Sequence, residues 1–395
     1  MDFNLTEDQR AIADMAGGLF TDFCTDERMR DFDESGATIM QDLWQTCVET
    51  GLHSLYIPEA VGGSGLGMTE LMLVLEAQGR GLGLVPLWRH QVAAATLAQF
   101  AADEFAGLLE AAAGAEKVLT LSAGDRSRAT GLALKAEQVD GGWVLNGTAH
   151  AVSGAGEAAA ALVLVETAEG ARVACVEFDA AGVNLIAGVL TQGESVADIE
   201  CNNVKLAAAA VLPVAATDWL ETRAIAAQAA LQLGVSEEQI RRTVEYVNER
   251  VQFGRTIGQF QAVQMSMADC KVALEALRSS LWQLCYRIDA GLPAPSEALA
   301  TAWLASEAGH KIGHTAQHVH GGIGVDLTYP IHRFLYWSRA LSLVWAAAGP
   351  RLSVSVTGWQ LTILWDGNMT SKKTMRFEDV SLGDQLPPPD VPITV

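Results

Sequence analysis

Positive charge is scarce in this chain. Its 26 Lys and Arg stand against 47 Asp and Glu, a formal net charge of −21. A surface of that sign repels phosphate backbones and anionic lipid, so nucleic acid and membrane surfaces are poor partners. An anionic ligand would need positive charge gathered locally. Proline is also sparse, at 11 residues, and alanine is abundant, which leans toward helix. The six cysteines, at 24, 47, 175, 201, 270 and 285, contain no CxxC spacing. That excludes the common zinc and redox-dithiol patterns and suggests reduced, buried thiols. No run reaches the roughly 18 apolar residues of a membrane span. The opening MDFNLTEDQRAIAD is acidic and lacks the apolar core of a signal peptide. The expectation is a soluble, cytoplasmic protein.

What is present is ample core material: 395 residues, 50% hydrophobic, enough for two or three packed domains. Residues 4 to about 112 read as helices. The first opens on a Thr6-x-x-Gln9 capping pattern, and TIMQDLWQTCVETGL stops at Gly51. PEAVGGSGLG (58–67) is a glycine-rich loop. From about 116, short Val-, Leu- and Ile-rich segments alternate with turn signals such as Asp140-Gly141-Gly142 and Asn146-Gly147, a small antiparallel β-domain. From about 215 to 350 the chain is helical again. The reading is α+β, mostly α, with an N-terminal helical domain (1–115), a middle β-domain (116–212), a C-terminal helical bundle (213–356) and an appended tail (357–395).

Three segments make the chain recognisable. PEAVGGSGLG (58–67), ERVQFGRTIGQFQAVQMSMADCKV (249–272) and HVHGGIGVDLTYPIHRF (318–334), in this order and spacing, resemble signatures of the acyl-CoA dehydrogenases. The resemblance covers about residues 1–350 and implies that family's fold, with helical, β and helical domains. It also implies an FAD enzyme in which a glutamate removes the substrate α-proton while the β-hydride goes to the flavin. In that family the flavin lies across a dimer interface. The ring sits on the β-domain of one subunit, and the C-terminal helices of the neighbour hold the pyrophosphate and adenosine.

The neighbour-facing half of that arrangement is recognisable here. By the resemblance, Arg250 pairs with the pyrophosphate, Phe253 and Gln261 line the same groove, and His318 stands where the family often has a cofactor-facing glutamine. Gly321, Gly322 and Gly324 let backbone approach the phosphates. The alternative for Arg250 is a surface salt bridge with Glu245 or Glu249. The ring-facing half is not recognisable. LTLSAGDRSRATG (119–131) and TAHAVSGAG (148–156) lack the family's tryptophan and most of its donors, with Ser122 or Ser153 left as substitutes for one. The family glutamate occupies one of two positions, which fall here on Ala224 and Trp345. Neither can take a proton. Glu221, one turn before Ala224, could be a displaced base, or a solvent-facing charge favoured near a helix start. Glu237 and Glu238 read as exposed helix charges. No catalytic residue is assigned.

The pattern is most similar to the non-catalytic subunits of bacterial α2β2 acyl-CoA dehydrogenases that shorten steroid side chains. It implies a partner subunit carrying the glutamate, an FAD shared with that partner, and a steroid-CoA thioester as substrate. Two alternatives remain: a self-sufficient homomeric flavoenzyme using Glu221 or no carboxylate, and a structural scaffold without cofactor. His310, His314 and His318 share a helix face and could in principle hold a metal, but a packed or cofactor-facing stripe is favoured, so no metal is assigned. Most tryptophans, including Trp282, Trp303 and Trp337, are expected in the core, and Trp345 could fill the vacated base position. MRFEDVSLGDQLPPPDVPITV (375–395) resembles the first residues of a MaoC-like hydratase, cut off before any catalytic residue.

Overall fold

The computed structural model describes residues 4–122 and 132–345, with side chains to Ser342. The segment 123–131, the side chain of Trp345 and the tail 357–395 lie outside the described residues. Six helices come first: α1 Glu7–Phe23, α2 Asp26–Ser35, α3 Gln41–Glu49, α4 Met68–Gly81, α5 Leu87–Phe100 and α6 Ala106–Ala113. Thr6 forms the expected capping box, its hydroxyl accepting from Gln9 N–H while the Gln9 side chain accepts from Thr6 N–H. Thr25 caps α2 in the same way through Arg28 N–H. No such cap starts α3, whose first turn follows Met40 instead.

Helix α4 begins at a glycine and takes its cap from far along the chain. Asp289 accepts from Met68 N–H at 2.6 Å, from Thr69 N–H at 3.0 Å and from the Thr69 hydroxyl at 2.5 Å. A carboxylate on the first free N–H groups satisfies donors that the helix cannot satisfy itself and meets the positive end of its dipole.

Seven strands follow: β1 Leu119–Leu121, β2 Lys135–Val139, β3 Gly142–Ser153, β4 Ala160–Thr167, β5 Gly170–Glu177, β6 Val183–Val189 and β7 Ser195–Ala207. Their order is β1-β4-β2-β3-β7-β6, with β5 on the other side of the β4 pairing. The sheet is mixed, not purely antiparallel as the turn signals suggested. β4 runs parallel to β1 and touches β2 in parallel at Lys135 and Glu166. Those pairings join strands separated by other elements, which turn signals cannot reveal.

The chain then forms α7 Ala215–Glu249, a hairpin of β8 Val251–Gln252 and β9 Arg255–Thr256, α8 Gln261–Asp289, α9 Pro295–His320 and α10 Ile331–Trp345. Helices α4 and α7 cross with backbone almost touching. A Cβ on Gly234 would sit 2.0 Å from the Glu76 carbonyl oxygen, and one on Gly79 would sit 2.3 Å from that of Leu231. At this crossing Glu76 accepts from Arg80 and Arg278, and Glu237 bonds the same two arginines. Glu237 and Glu238 are therefore half-buried network members, not exposed helix charges; Glu238 bonds Arg241 and Arg242. All six cysteines are free and buried. Trp337 is in the core, whereas Trp303 is exposed and Trp282 half-buried.

Candidate functional site

The end of α7 turns directly into the β8–β9 hairpin. Val251 pairs with Thr256 and Gln252 with Arg255, leaving Phe253-Gly254 as a two-residue loop. Both loop residues have positive φ, 53° and 79°. That combination matches the twist of a tight hairpin and suits Gly254, but a bulky residue seldom adopts it. The result is a phenylalanine held out into solvent with its side chain 93% exposed. Its ring meets Phe260 edge-on at 6.2 Å, and Arg255 lies over the Phe260 ring at 4.1 Å.

Arg250 stands at the start of this turn and is exposed. Among the described residues its guanidinium makes no ion pair or hydrogen bond. Glu245, one possible partner, is bonded to Arg241 instead. An uncommitted arginine is notable in a chain of charge −21, where Arg28, Arg80, Arg89, Arg241, Arg242, Arg278, Arg287 and Arg333 all pair with carboxylates. Gln261, the first residue of α8, is exposed just beyond Phe260.

The α9 terminus closes on the same region. Tyr246, one turn before Arg250, stacks on His320 with centroids 4.3 Å apart and its hydroxyl 3.5 Å from the His320 carbonyl. Gly321 follows at φ 61°, and neither Gly321 nor Gly322 has any atom within 4 Å of where a Cβ would be. Their backbone faces open space. Gly324 is different: it is buried, and a Cβ there would press on Gln317 and His320. Its carbonyl accepts from the Gln317 amide at 2.7 Å. Gly324 therefore shapes the turn from within, while Gly321 and Gly322 present it. His318 is exposed on α9, beyond His310 and His314, whose rings are 4.6 Å apart. Arg339 also lies 3.2 Å from His310, and no cluster of His, Cys, Asp or Glu among the described residues could hold a metal.

His320 and Tyr246 were not legible as site residues. The buried His320 Nδ1–H donates to the Ala316 carbonyl at 2.8 Å, so Nε2 is an acceptor, and it has no partner among the described residues. Burial holds the imidazole below its usual pKa, partly offset by the Ala316 bond, so the ring is neutral at pH 7. The only sequence signal was a second histidine in HVHGG. Arg250, Arg255, Phe253 and the two bare glycines could together hold an anionic dinucleotide, with charge for phosphates and an aromatic surface for a base.

Of the other half of the expected site, residues 123–131 lie outside the described residues. Ala224 is fully buried on α7. Beside it Arg223 donates to the Tyr56 hydroxyl at 2.6 Å and lies over the Trp219 ring at 3.5 Å, and Phe100 meets that ring edge-on. Glu221 is half-buried rather than solvent-facing. In β3 the register slips between Ala149 and Val152, and Ala151 takes φ 51°. Asp198 fastens that bulge, accepting from Ala151 N–H at 2.8 Å and facing His150 Nδ1 at 3.0 Å. The Ser153 carbonyl accepts from the Thr120 hydroxyl, and Ser122 N–H donates to Leu162.

Residues 6–107 match the N-terminal domain of acyl-CoA dehydrogenases and residues 215–344 match the C-terminal domain. The chain is 35% identical to the acyl-CoA dehydrogenase FadE27 of Mycobacterium tuberculosis over 347 residues, 85% of this chain and 92% of that one. It belongs to the acyl-CoA dehydrogenase family, a family of oxidoreductases. Among solved structures, it is similar to a chain of the ChsE4-ChsE5 complex of M. tuberculosis, with TM-score 0.85, 33% identity, and coverage of 90% of this chain and 98% of that one. It is also similar to a chain of the Tcur3481-Tcur3483 steroid ACAD, with TM-score 0.83, 34% identity, and coverage of 89% and 98%. A 23% identical structure, the FAD complex of PigA, shares the fold at TM-score 0.79, covering 90% of this chain and all of that one.

Proposed function

We propose that this chain is a subunit of a heteromeric, FAD-dependent acyl-CoA dehydrogenase, and that it supplies the adenosine and pyrophosphate half of its partner's FAD site. The observation that carries the reading is an asymmetry. The cradle around Arg250, Phe253, Gln261, His318, Gly321 and Gly322 is open and its arginine uncommitted, while one of the family's two base positions, Ala224, is an inert buried methyl. FAD, when bound, supplies hydride acceptance. This chain's part is to hold the cofactor: Arg250 and Arg255 neutralise phosphate charge, Phe253 offers an apolar face and the Gly321–Gly322 backbone allows close approach. The proton is removed by a carboxylate on the partner subunit.

The relatives support a paired assembly, since two of the similar structures bear the names of two-chain complexes, one of them a steroid enzyme. We read the assembly as an α2β2 heterotetramer acting on a steroid side-chain CoA thioester in the cytoplasm. Among the described residues no helix is long and apolar enough to cross a membrane. Domain divisions at 1–115, 116–212 and 213–356 belong to the same reading. The test is turnover. The chain alone should not reduce an electron acceptor with any acyl-CoA, whereas the co-purified pair should, and replacing the partner's glutamate by glutamine should abolish it. Turnover by the isolated chain would refute the reading and return attention to Glu221.

A further inference from the structure

Arg250 and the Gly321–Gly322 backbone lie at the ends of two different helices, α7 and α9, so no local bond sets the distance between them. Each is fixed at its own end. Arg250 N–H donates to the Tyr246 carbonyl at 2.9 Å, and the Arg250 carbonyl accepts from Ile257 N–H at 2.8 Å. Gly321 N–H donates back to the Gln317 and His318 carbonyls, and the Gln317 amide donates to the Gly324 carbonyl at 2.7 Å. Tyr246 joins the two ends. Its carbonyl holds Arg250, while its ring stacks on His320, the residue before Gly321, with 20° between the planes. Tyr329, on the way into α10, completes the group, its ring 5.5 Å from that of His320 and 6.3 Å from that of Tyr246.

The His320 ring is buried and tied to the Ala316 carbonyl at 2.8 Å, so it cannot swing to follow its neighbour. Aromatic rings in contact favour a narrow set of geometries, and three rings from three segments resist sliding in more than one direction. The Tyr246 hydroxyl, 3.5 Å from the His320 carbonyl, is at the limit of a hydrogen bond, so the ring faces do the holding. We infer that Tyr246 is a positioning residue of the cradle: its ring, packed on His320 and Tyr329, sets the spacing between the Arg250 guanidinium and the Gly321–Gly322 backbone. The inference rests on the reading of the cradle as half of an FAD site. A ligand that bridges both ends binds only while they are in register, so its apparent affinity falls with the fraction of molecules so arranged. Tyr246 acts through those groups rather than on the cofactor.

The test is FAD titration of the flavin-stripped complex, run as a double-mutant cycle on Tyr246 and Arg250. Tyr246→Ala should weaken FAD by roughly 3- to 10-fold. Tyr246→Phe keeps the ring and should stay within about twofold of the parent chain. In an Arg250→Ala background one end of the bridge is already gone, and Tyr246→Ala should then cost less than about twofold. A merely structural loss would give the same factor in both backgrounds, since independent effects add. Tyr246→Leu, a good helix former without an aromatic face, takes the place of the alanine variant if that one does not fold. The inference is overturned by unchanged FAD affinity in Tyr246→Ala, by the same factor in both backgrounds, or by Tyr246→Phe binding as weakly as Tyr246→Ala. Arg250→Ala without effect on FAD would overturn the cradle reading itself, and this inference with it.

Discussion

Replacing Arg250 by alanine separates cofactor binding from folding unusually cleanly. The side chain is exposed and makes no bond among the described residues, so its loss should leave the melting temperature of the chain unchanged. Its only work, on this account, is done on the cofactor. A charge-assisted hydrogen-bond contact contributes about 1.5–3 kcal/mol. At about 1.4 kcal/mol per tenfold, that predicts FAD binding weaker by roughly 10- to 150-fold. Arg250→Lys keeps the charge but loses the planar fork, and should fall between. The assay is titration of the FAD-stripped complex with FAD, followed by the change in flavin fluorescence. The same dissociation constant for the alanine variant, within a factor of two, would refute the role assigned to Arg250.

Three further outcomes follow from the packing. Gly234→Ala puts a methyl into the Glu76 carbonyl and should destabilise the chain by about 1–3 kcal/mol, read by denaturant unfolding; an unchanged midpoint would mean that α4 and α7 are not in backbone contact. Asp289→Ala uncaps α4 from a distance and should cost about 1–2 kcal/mol, whereas Asp289→Asn, which still accepts from Met68, should cost less. At Glu237 burial works to raise the carboxyl, but the charges and hydrogen bonds of Arg80 and Arg278 outweigh it and hold its pKa low. A depressed folded pKa gives stability that is present above the unfolded value near about 4.3 and is lost as pH falls through the folded one. Glu237→Gln should therefore flatten the acid side of the stability profile, and an identical acid limb would count against the network.

Local features were the legible ones. The Thr6 capping box and the stop at Gly51 follow from residues three or four apart, and the helix–strand–helix order follows from periodicity. Pairings across the chain were not legible. The parallel β1–β4 contact, the Asp289 cap and the burial of Glu237 each join segments that no local pattern relates. The site divides in the same way. Arg250, Phe253 and Gly321 come from the family resemblance, which could not show that Arg250 has no carboxylate partner among the described residues or that Gly324 faces inward. Nor could it show the positive φ of Phe253 or the stacking of Tyr246 on a histidine 74 residues away. Those facts depend on how α7 and α9 end beside each other.

The central claim is that this chain holds half of a cofactor site whose other half is on a partner. The most direct measurement is the FAD-to-protein ratio and visible spectrum of the chain, purified alone and after co-expression with its partner. The account predicts a colourless chain alone and a yellow complex with one FAD per pair. A chain that is yellow by itself, at one FAD per chain, would contradict it.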